Sequence, residues 1–557
     1  MCGIYGYVGE GNAYNVVIDG LSLLQYRGYD SCGIAYYNQG FKVNKAVGTL
    51  NNLKACNVKS NIAFGHTRWA TNGVVNEKNA HPHVSYNKEY TIVHNGIIKN
   101  ADTIKQQLQL RNIPFYSETD TEVIANYLTT INLESDLHNL FEDLDGTFSL
   151  IIGNKKGEIT LVKQFSPLHM LKTNNAIYIS SDISSLPSGE LYSLKDKDII
   201  QIKNGNIQSI NNNEIKFKKH VSKREQLNLG KHAHYMIKEI YETPEAIRNT
   251  YMNIKDIDIQ NIFKCYSKLT LLGCGTAYNS CLIGEYLIEN NLDIEVNTFL
   301  ASNYSSKRKI DNEHLHIIVS QSGETADCIK VAENIKSYGG KILAITNEPT
   351  STIAHMADYL ILTKAKKELA VASTKTYCCQ VFIFAYICQK LLNAHYSLNI
   401  DGLVADITEY IDSIKIKTLS QKIKDVKHLI MIGKDIDYLT LMEASLKIRE
   451  IDYVYTLPMF SSELKHGTLS LIEKGSVVLT LNSNVNNTSL KSTVNEICSR
   501  EGEVIEITDY CSKINVEDMF KPILTVIPFQ LLSYEIAVLN GRNPDMPRNL
   551  AKSVTVE

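Results

Sequence analysis

Cys2-Gly3-Ile4-Tyr5-Gly6-Tyr7-Val8-Gly9, CGIYGYVG, follows Met1 and reads as a short strand-like run whose first residue is a thiol. The small Cys2 side chain should permit removal of Met1, which would leave a thiol and a free α-amine on one residue. Such an amine titrates at about 7.7 to 8.0, well below lysine, so at neutral pH a useful fraction can take the thiol proton directly or through one water. A lone Met-Cys is more simply a small buried residue. The sequence that follows favours the nucleophile.

From this run to Phe217 the chain continues in short strand-like pieces: SCGIAYYN, NIAFGHTRW, YTIVHNG, FSLIIGNKKGEITLVK, AIYISSD and DIIQIKNGNIQSI. Asn-Lys-Lys-Gly and Lys-Asn-Gly-Asn between apolar runs predict hairpin turns. Residues 2–217 are therefore expected to be one domain, mainly antiparallel sheet with a few helices, one of them over 119–132. A polar stretch at 216–231 marks a linker, and the whole connection is placed at 218–243.

Beyond it the grammar changes. LTLLG at 269–273, LHIIVS at 315–320, KILAIT at 341–346 and DYLIL at 358–362 are apolar, β-branched runs separated by helix-length segments, the pattern of a doubly wound parallel sheet. The pattern resumes at 427–433, 453–456, 476–481 and 504–508. Two α/β domains, 244–395 and 396–540, followed by a tail at 541–557, complete the expected organisation. The two share little identity, so the duplication rests on topology.

At 557 residues the chain exceeds one core, and about three domains are expected. With 57 basic and 60 acidic residues the formal charge is -3, and the basic residues are scattered, which gives a nucleic-acid partner no electrostatic support. Any anionic ligand must be met by a local site. The N-terminus lacks a basic segment followed by an apolar run, and the longest apolar stretch, YCCQVFIFAYIC at 377–388, is too short to span a bilayer and reads as a buried helix. Twelve cysteines without a CxxC pair or a secretory signal indicate reduced thiols in the cytoplasm rather than disulfides or a zinc site.

CGIYGYVG, QYRGYDSCGIA, GHTRWATNG, NAHPHVS, HNGIIKN and SETDTEV, in this order and spacing, resemble the N-terminal-nucleophile glutamine amidotransferases. Over essentially its whole length the chain is similar to the branch of that family that carries paired sugar isomerase domains. The resemblance implies an N-terminal-nucleophile sandwich followed by two doubly wound parallel-sheet domains. It also implies glutamine and fructose 6-phosphate as substrates, glucosamine 6-phosphate and glutamate as products, ammonia passed internally, and a place at the first step of amino-sugar synthesis.

Attack of the Cys2 thiolate on the glutamine amide makes an oxyanion, which needs donors fixed in advance. The family pattern gives these as the Asn95 side-chain amide and the Gly96 N–H; as a bare dipeptide Asn95-Gly96 would be only a hairpin turn. Arg68 suits a bidentate clamp on the glutamine α-carboxylate and Asp120 its ammonium, although Asp120 also fits a helix N-terminus. Arg27, Thr71 and His81 occupy matching positions and line or organise the pocket. Trp69, the sole tryptophan, falls where the family has a gate to the ammonia channel; packing in the core is its ordinary alternative. Asn72 stands where histidine is common.

HYMIKEIYETP at 234–244 resembles the family's lead-in helix. SQSGETAD at 320–327 follows one predicted strand and begins a helix, so Ser320, Gln321, Ser322 and Thr325 form an anion site of hydroxyls and helix N–H groups. Thr276 and Ser373 match the neighbouring sugar-phosphate loops, at carboxyl ends of predicted strands. LKIREIDYVY supplies Lys447 and Glu450 one helical turn apart, ELKHG supplies His466, and NLAKSVTVE supplies Lys552. By resemblance Lys552 forms a Schiff base, Glu450 moves the proton between C1 and C2, Lys447 assists, and His466 opens the ring from a neighbouring subunit, so a homodimer is implied. A surface ion pair, a helix cap and a loose tail are the plain alternatives. Pro458, Met459, Phe460 and Asn543 depart from the family pattern.

No metal or organic cofactor is implied, because the sugar carbonyl, as an imine, is the electron sink. An amidotransferase with another acceptor, a non-catalytic sugar-phosphate regulator, and a deglycase or synthase with a changed sugar remain as rivals. A nucleotide-phosphate loop is not evident, which weighs against the first. Joint retention of Cys2, Glu450, His466 and Lys552 weighs against the second.

Overall fold

The computed structural model describes residues 2–56, 58–70, 72–133, 135–211, 213–222, 229–304, 313–483 and 488–553. They fall into two compact units, Met1–Asn228 and Leu229–Thr555.

In the first unit CGIYGYVG becomes strand Gly3–Gly9, held between antiparallel neighbours Ala176–Ser180 and Ile62–Arg68 inside an eight-stranded sheet. A six-stranded sheet faces it, with Tyr90–Ile98 paired to Gly146–Asn154. Side chains of a strand alternate between faces, so Ile4 joins Phe64, Val93, Ile151 and Ile179 in one core while Tyr5 joins Val17, Leu21 and Ile34 in another. Helix Ala13–Ser22 covers that second face. Helices Ala101–Leu110 and Asp120–Tyr127 cover the six-stranded sheet through Ile104, Leu108 and Ile124. The layers are helix, sheet, sheet, helix.

Both expected hairpins form. The second turns at Asn204 and Gly205, with φ of 50° and 77°, the left-handed pair that a two-residue turn requires. The helix expected over 119–132 is shorter: Thr119 caps it by accepting from the Glu122 N–H, it runs over Asp120–Tyr127, and a 3-10 turn at Leu128–Thr130 ends it. The connection at 218–243 opens with strand Lys218–His220, which pairs with Gly189–Ser193, and closes with helix Tyr235–Tyr241.

The second unit holds two parallel sheets. Their strand orders are Glu295–Leu300, Lys268–Gly273, His314–Val319, Lys341–Thr346, Tyr359–Leu362, and Tyr455–Phe460, His428–Gly433, Val477–Thr480, Glu503–Glu506. In each the second strand of the chain lies outside the first, so the order reverses between the first and third, where open α/β sheets bind ligands. Glu295–Leu300 is a strand that periodicity did not announce, because EVNTFL is a half-buried edge with no continuous apolar run.

One core runs through both halves of this unit, from Leu269 and Ile317 to Met431, Ile448 and Leu532. The apolar run at 377–388 lies in buried helix Lys375–Leu392. Among the described residues one segment, Asp518–Leu539, is long and apolar enough to cross a membrane, and 83% of its apolar window is buried in the protein.

Candidate active sites

Strand Gly3–Gly9 pairs Gly3 with Thr67, which carries Cys2 to the end of strand Ile62–Arg68. The Cys2 Sγ accepts the Trp69 N–H at 3.3 Å, and the Cys2 carbonyl accepts Asn95 Nδ2 at 3.0 Å from the facing sheet. Burial pushes the thiol up, while the Trp69 N–H and the Arg68 guanidinium pull it down. Gly96 has φ of +137°, and a Cβ there would lie 1.8 Å from the Thr147 carbonyl oxygen, so no other residue fits.

Arg68 is buried, with Nη2 donating to the Asn72 carbonyl and Nη1 without a partner among the described residues. A spare buried donor on a guanidinium suits a carboxylate. Asp120 opens helix Asp120–Tyr127 and accepts the Ile98 N–H at 3.0 Å. Arg27 donates to the Ser181 carbonyl at 3.0 Å and to its hydroxyl at 3.1 Å, and that hydroxyl accepts the Ile4 N–H, so Arg27 braces the nucleophile's strand. His81 stacks on His66 with centroids 4.1 Å apart and meets the Thr121 hydroxyl at 3.2 Å. Trp69 is half-buried, and Thr71 lies outside the described residues.

In the second unit, Thr276 begins helix Thr276–Glu289, and residues 320–325 link strand His314–Val319 to helix Ala326–Ser337, so the two loops flank the sheet's switch point. The Ser320 and Thr325 hydroxyls are 2.9 Å apart, Ser320 Oγ accepts the Gly323 N–H, and Ser322 Oγ accepts the Glu324 N–H. The Gln321 carbonyl accepts the Asn347 N–H. The tail reaches this loop, for Ser553 Oγ is 2.8 Å from Ser322 Oγ. Lys552 Nζ donates to Glu368 Oε2 at 2.6 Å and lies 3.4 Å from Ser373 Oγ. Glu368 is buried and also accepts from Ser373 Oγ, the Thr374 N–H and Thr376. Burial opposes its charge, but Lys552, Lys375 and these donors prevail and hold the carboxyl down at about 2.

Lys447, fully buried on helix Ile436–Asp452, donates to Glu450 at 2.8 Å and to Thr276 Oγ1 at 3.1 Å, with Glu443 at 3.3 Å. Burial opposes its charge, yet Glu443 and Glu450 raise it above an ordinary lysine. Glu450 opens into a cavity of about 300 Å³ shared with Tyr453 and tail residues Arg548, Asn549 and Leu550. His466 ends the 3-10 turn Ser461–His466, is exposed, and makes no hydrogen bond or ion pair among the described residues. The described residues hold no cluster of His, Cys, Asp and Glu suited to a metal ion.

The glutamine amidotransferase domain family matches residues 66–188, and the SIS domain family matches 262–387 and 422–537. Glutamine–fructose-6-phosphate aminotransferases (isomerizing) of Clostridium acetobutylicum and Fusobacterium nucleatum are 35% and 36% identical, and that of Pyrococcus horikoshii is 35% identical, each over 100% of both chains. The chain belongs to the glutamine–fructose-6-phosphate aminotransferase (isomerizing) family. The C-terminal domain of glucosamine-fructose-6-phosphate aminotransferase from Francisella tularensis matches 58% of this chain and 100% of its own, at 27% identity and a TM-score of 0.52.

Within this aminotransferase family chain the first unit gathers Cys2, Asn95 and Arg68, while the second brings Lys552 to Ser373 and its neighbour Ser553 to Ser322, and separately joins Lys447 to Thr276 and Glu450. His466 joins neither group. Sequence reasoning missed Glu368, Glu443 and His66. Glu443 stands one turn before Lys447, a spacing that could have found it. Glu368, an acid five residues before Ser373, and His66, inside GHTRWATNG, gave no signal apart from their motifs.

Proposed function

We propose that this chain is an enzyme that converts glutamine and fructose 6-phosphate into glutamate and glucosamine 6-phosphate, the first step of amino-sugar synthesis. The observation that carries this reading is the tail: Lys552, one residue before the last described position, is anchored at 2.6 Å to a buried carboxylate beside Ser373, with the next residue on the Ser320–Thr325 loop. A regulator that only bound sugar phosphate would have no use for a desolvated amine there.

In the first unit the Cys2 thiolate adds to the glutamine amide carbon, and the oxyanion is met by Asn95 Nδ2 and the Gly96 N–H. Arg68 takes the α-carboxylate and Asp120 the α-ammonium, while Arg27, Thr71 and His81 organise the pocket. Ammonia leaves, and water releases glutamate from the thioester. In the second unit Ser320, Gln321, Ser322 and Thr325 hold the phosphate, with Thr276 and Ser373 beside them. Ring opening falls to His466 of the partner subunit, which makes a homodimer the smallest complete enzyme; exposure of His466 in the single chain favours this. Lys552 forms an imine with the open sugar, Glu450 carries the proton between C1 and C2, and Lys447 holds Glu450 in place. The imine itself accepts the electron pair, so no organic cofactor or metal is needed.

Trp69, whose N–H lies on the nucleophile, is proposed to gate the released ammonia, and the cytoplasm is the proposed location. Incubation with both substrates and mass analysis of the products is the test. Glucosamine 6-phosphate and glutamate in equal amounts are expected; glutamate alone, or a different amino sugar, would overturn the assignment.

A further inference from the structure

We propose that His66 is a positioning residue for the oxyanion site: its neutral, Nε2-protonated ring fixes the Asn95 amide with its amino group toward Cys2. This rests on the glutaminase reading above. His66 sits fully buried on strand Ile62–Arg68. Its Nε2 lies 3.0 Å from the His94 carbonyl oxygen and 3.1 Å from the Asn95 side-chain oxygen. A carbonyl oxygen can only accept, so Nε2 must carry the proton. A protonated nitrogen then requires the oxygen of the Asn95 amide to face it. The amino group is thereby turned the other way, where it finds the Cys2 carbonyl at 3.0 Å, again an acceptor only.

Two groups at opposite ends of one amide thus dictate the same orientation. One Nδ2 proton is used by the Cys2 carbonyl, and the second remains for the oxyanion. With the amide turned over, its oxygen would face the developing negative charge instead. The ring is kept neutral by burial first and then by Arg68, which together lower it to about 3. Stacking on His81 at 4.1 Å fixes the ring plane, and Nδ1, buried and without a partner among the described residues, is left as a bare acceptor.

The test uses the full chain with His66→Phe, which keeps a flat ring against His81 but removes the donor, and His66→Gln, which restores one. His66→Phe is expected to lower kcat for glutamine hydrolysis roughly 100-fold, the scale of one lost oxyanion donor, with KM little changed. His66→Gln should recover most of it. Alkylation of Cys2 by iodoacetamide needs no oxyanion donor and should proceed at the wild-type rate in both. A wild-type kcat in His66→Phe, a loss confined to KM, or equal loss in both variants together with slowed alkylation would overturn the proposal. Nitrogen NMR of wild-type chain labelled in histidine should show the neutral Nε2–H form for the signal missing from whichever of the two variants folds; the Nδ1–H form or a charged ring would also overturn it. If the wild-type chain releases no glutamate, the glutaminase reading fails separately.

Discussion

Glu368 stays ionised although buried because donors surround it: Lys552 Nζ, two backbone N–H groups and the hydroxyls of Ser373 and Thr376. Removing one member of such a buried pair typically costs about 3 to 5 kcal/mol, since the partner is left charged and unpaired. Its carboxyl is depressed from 4.5 to about 2 in the folded chain. The stability it contributes is therefore fully present above pH 4.5 and is lost as pH falls toward 2, because the unfolded chain takes up the proton first. Glu368→Gln should lack this limb of the stability curve, lose amino-sugar synthesis and keep glutamine hydrolysis. Urea midpoints of both proteins across that pH range check it, and superimposable curves would count against the role. Lys552 was legible in the sequence through an uninterrupted motif, whereas Glu368 was not, because a residue that acts by holding another leaves no pattern of its own. The same holds for His66 behind Asn95.

In the proposed function, loops after parallel strands hold the sugar phosphate, and one of them depends on a glycine. Gly323 has φ of +62°, and a Cβ there would lie 2.0 Å from Ser351 Oγ. Gly323→Ala is expected to cost about 1 to 3 kcal/mol of local strain and to raise KM for fructose 6-phosphate at least tenfold, with glutamine hydrolysis unchanged. Steady-state kinetics on each half-reaction would show it, and an unaltered KM would remove the loop from phosphate binding. The duplicated α/β pattern was legible as strand spacing but not as residue identity, and the structure shows why. Gly275 and Asp435 open equivalent helices with φ, ψ of 55°, -125° and 52°, -127°, the same turn built from unlike residues. In the second copy Asp437 accepts both the N–H and the hydroxyl of Ser483, so an internal carboxylate takes donors that an anion would otherwise meet. A strand such as Glu295–Leu300 escaped notice for a different reason: at this sheet edge only Val296 is buried, and a short run of that kind carries little periodic signal.

At the scale of the whole chain, Cys2 and Lys552, the proposed nucleophile and sugar-binding amine, belong to different compact units, so the two half-reactions should separate by mutation. Cys2→Ala provides the reference: glutamine hydrolysis is expected to vanish while conversion of fructose 6-phosphate to glucose 6-phosphate persists. Coupling is the property that neither unit has alone. Ammonia is a nucleophile only while unprotonated, and at neutral pH water converts most of it to ammonium, so product yield depends on shielding it after release. Trp69 is the residue whose position bears on this, since it is half-buried, joins none of the hydrophobic cores formed by the described residues of its unit, and places its backbone N–H on Cys2 Sγ. A tryptophan that served packing would lower stability and both activities together when truncated. A gate would not. Trp69→Ala is accordingly expected to release glutamate at near the wild-type rate while glucosamine 6-phosphate falls well below one per glutamate, with free ammonia making up the difference. Parallel assays of the three products, with a melting curve as control, decide between the roles; equal loss of both products with a lowered Tm would assign Trp69 to packing.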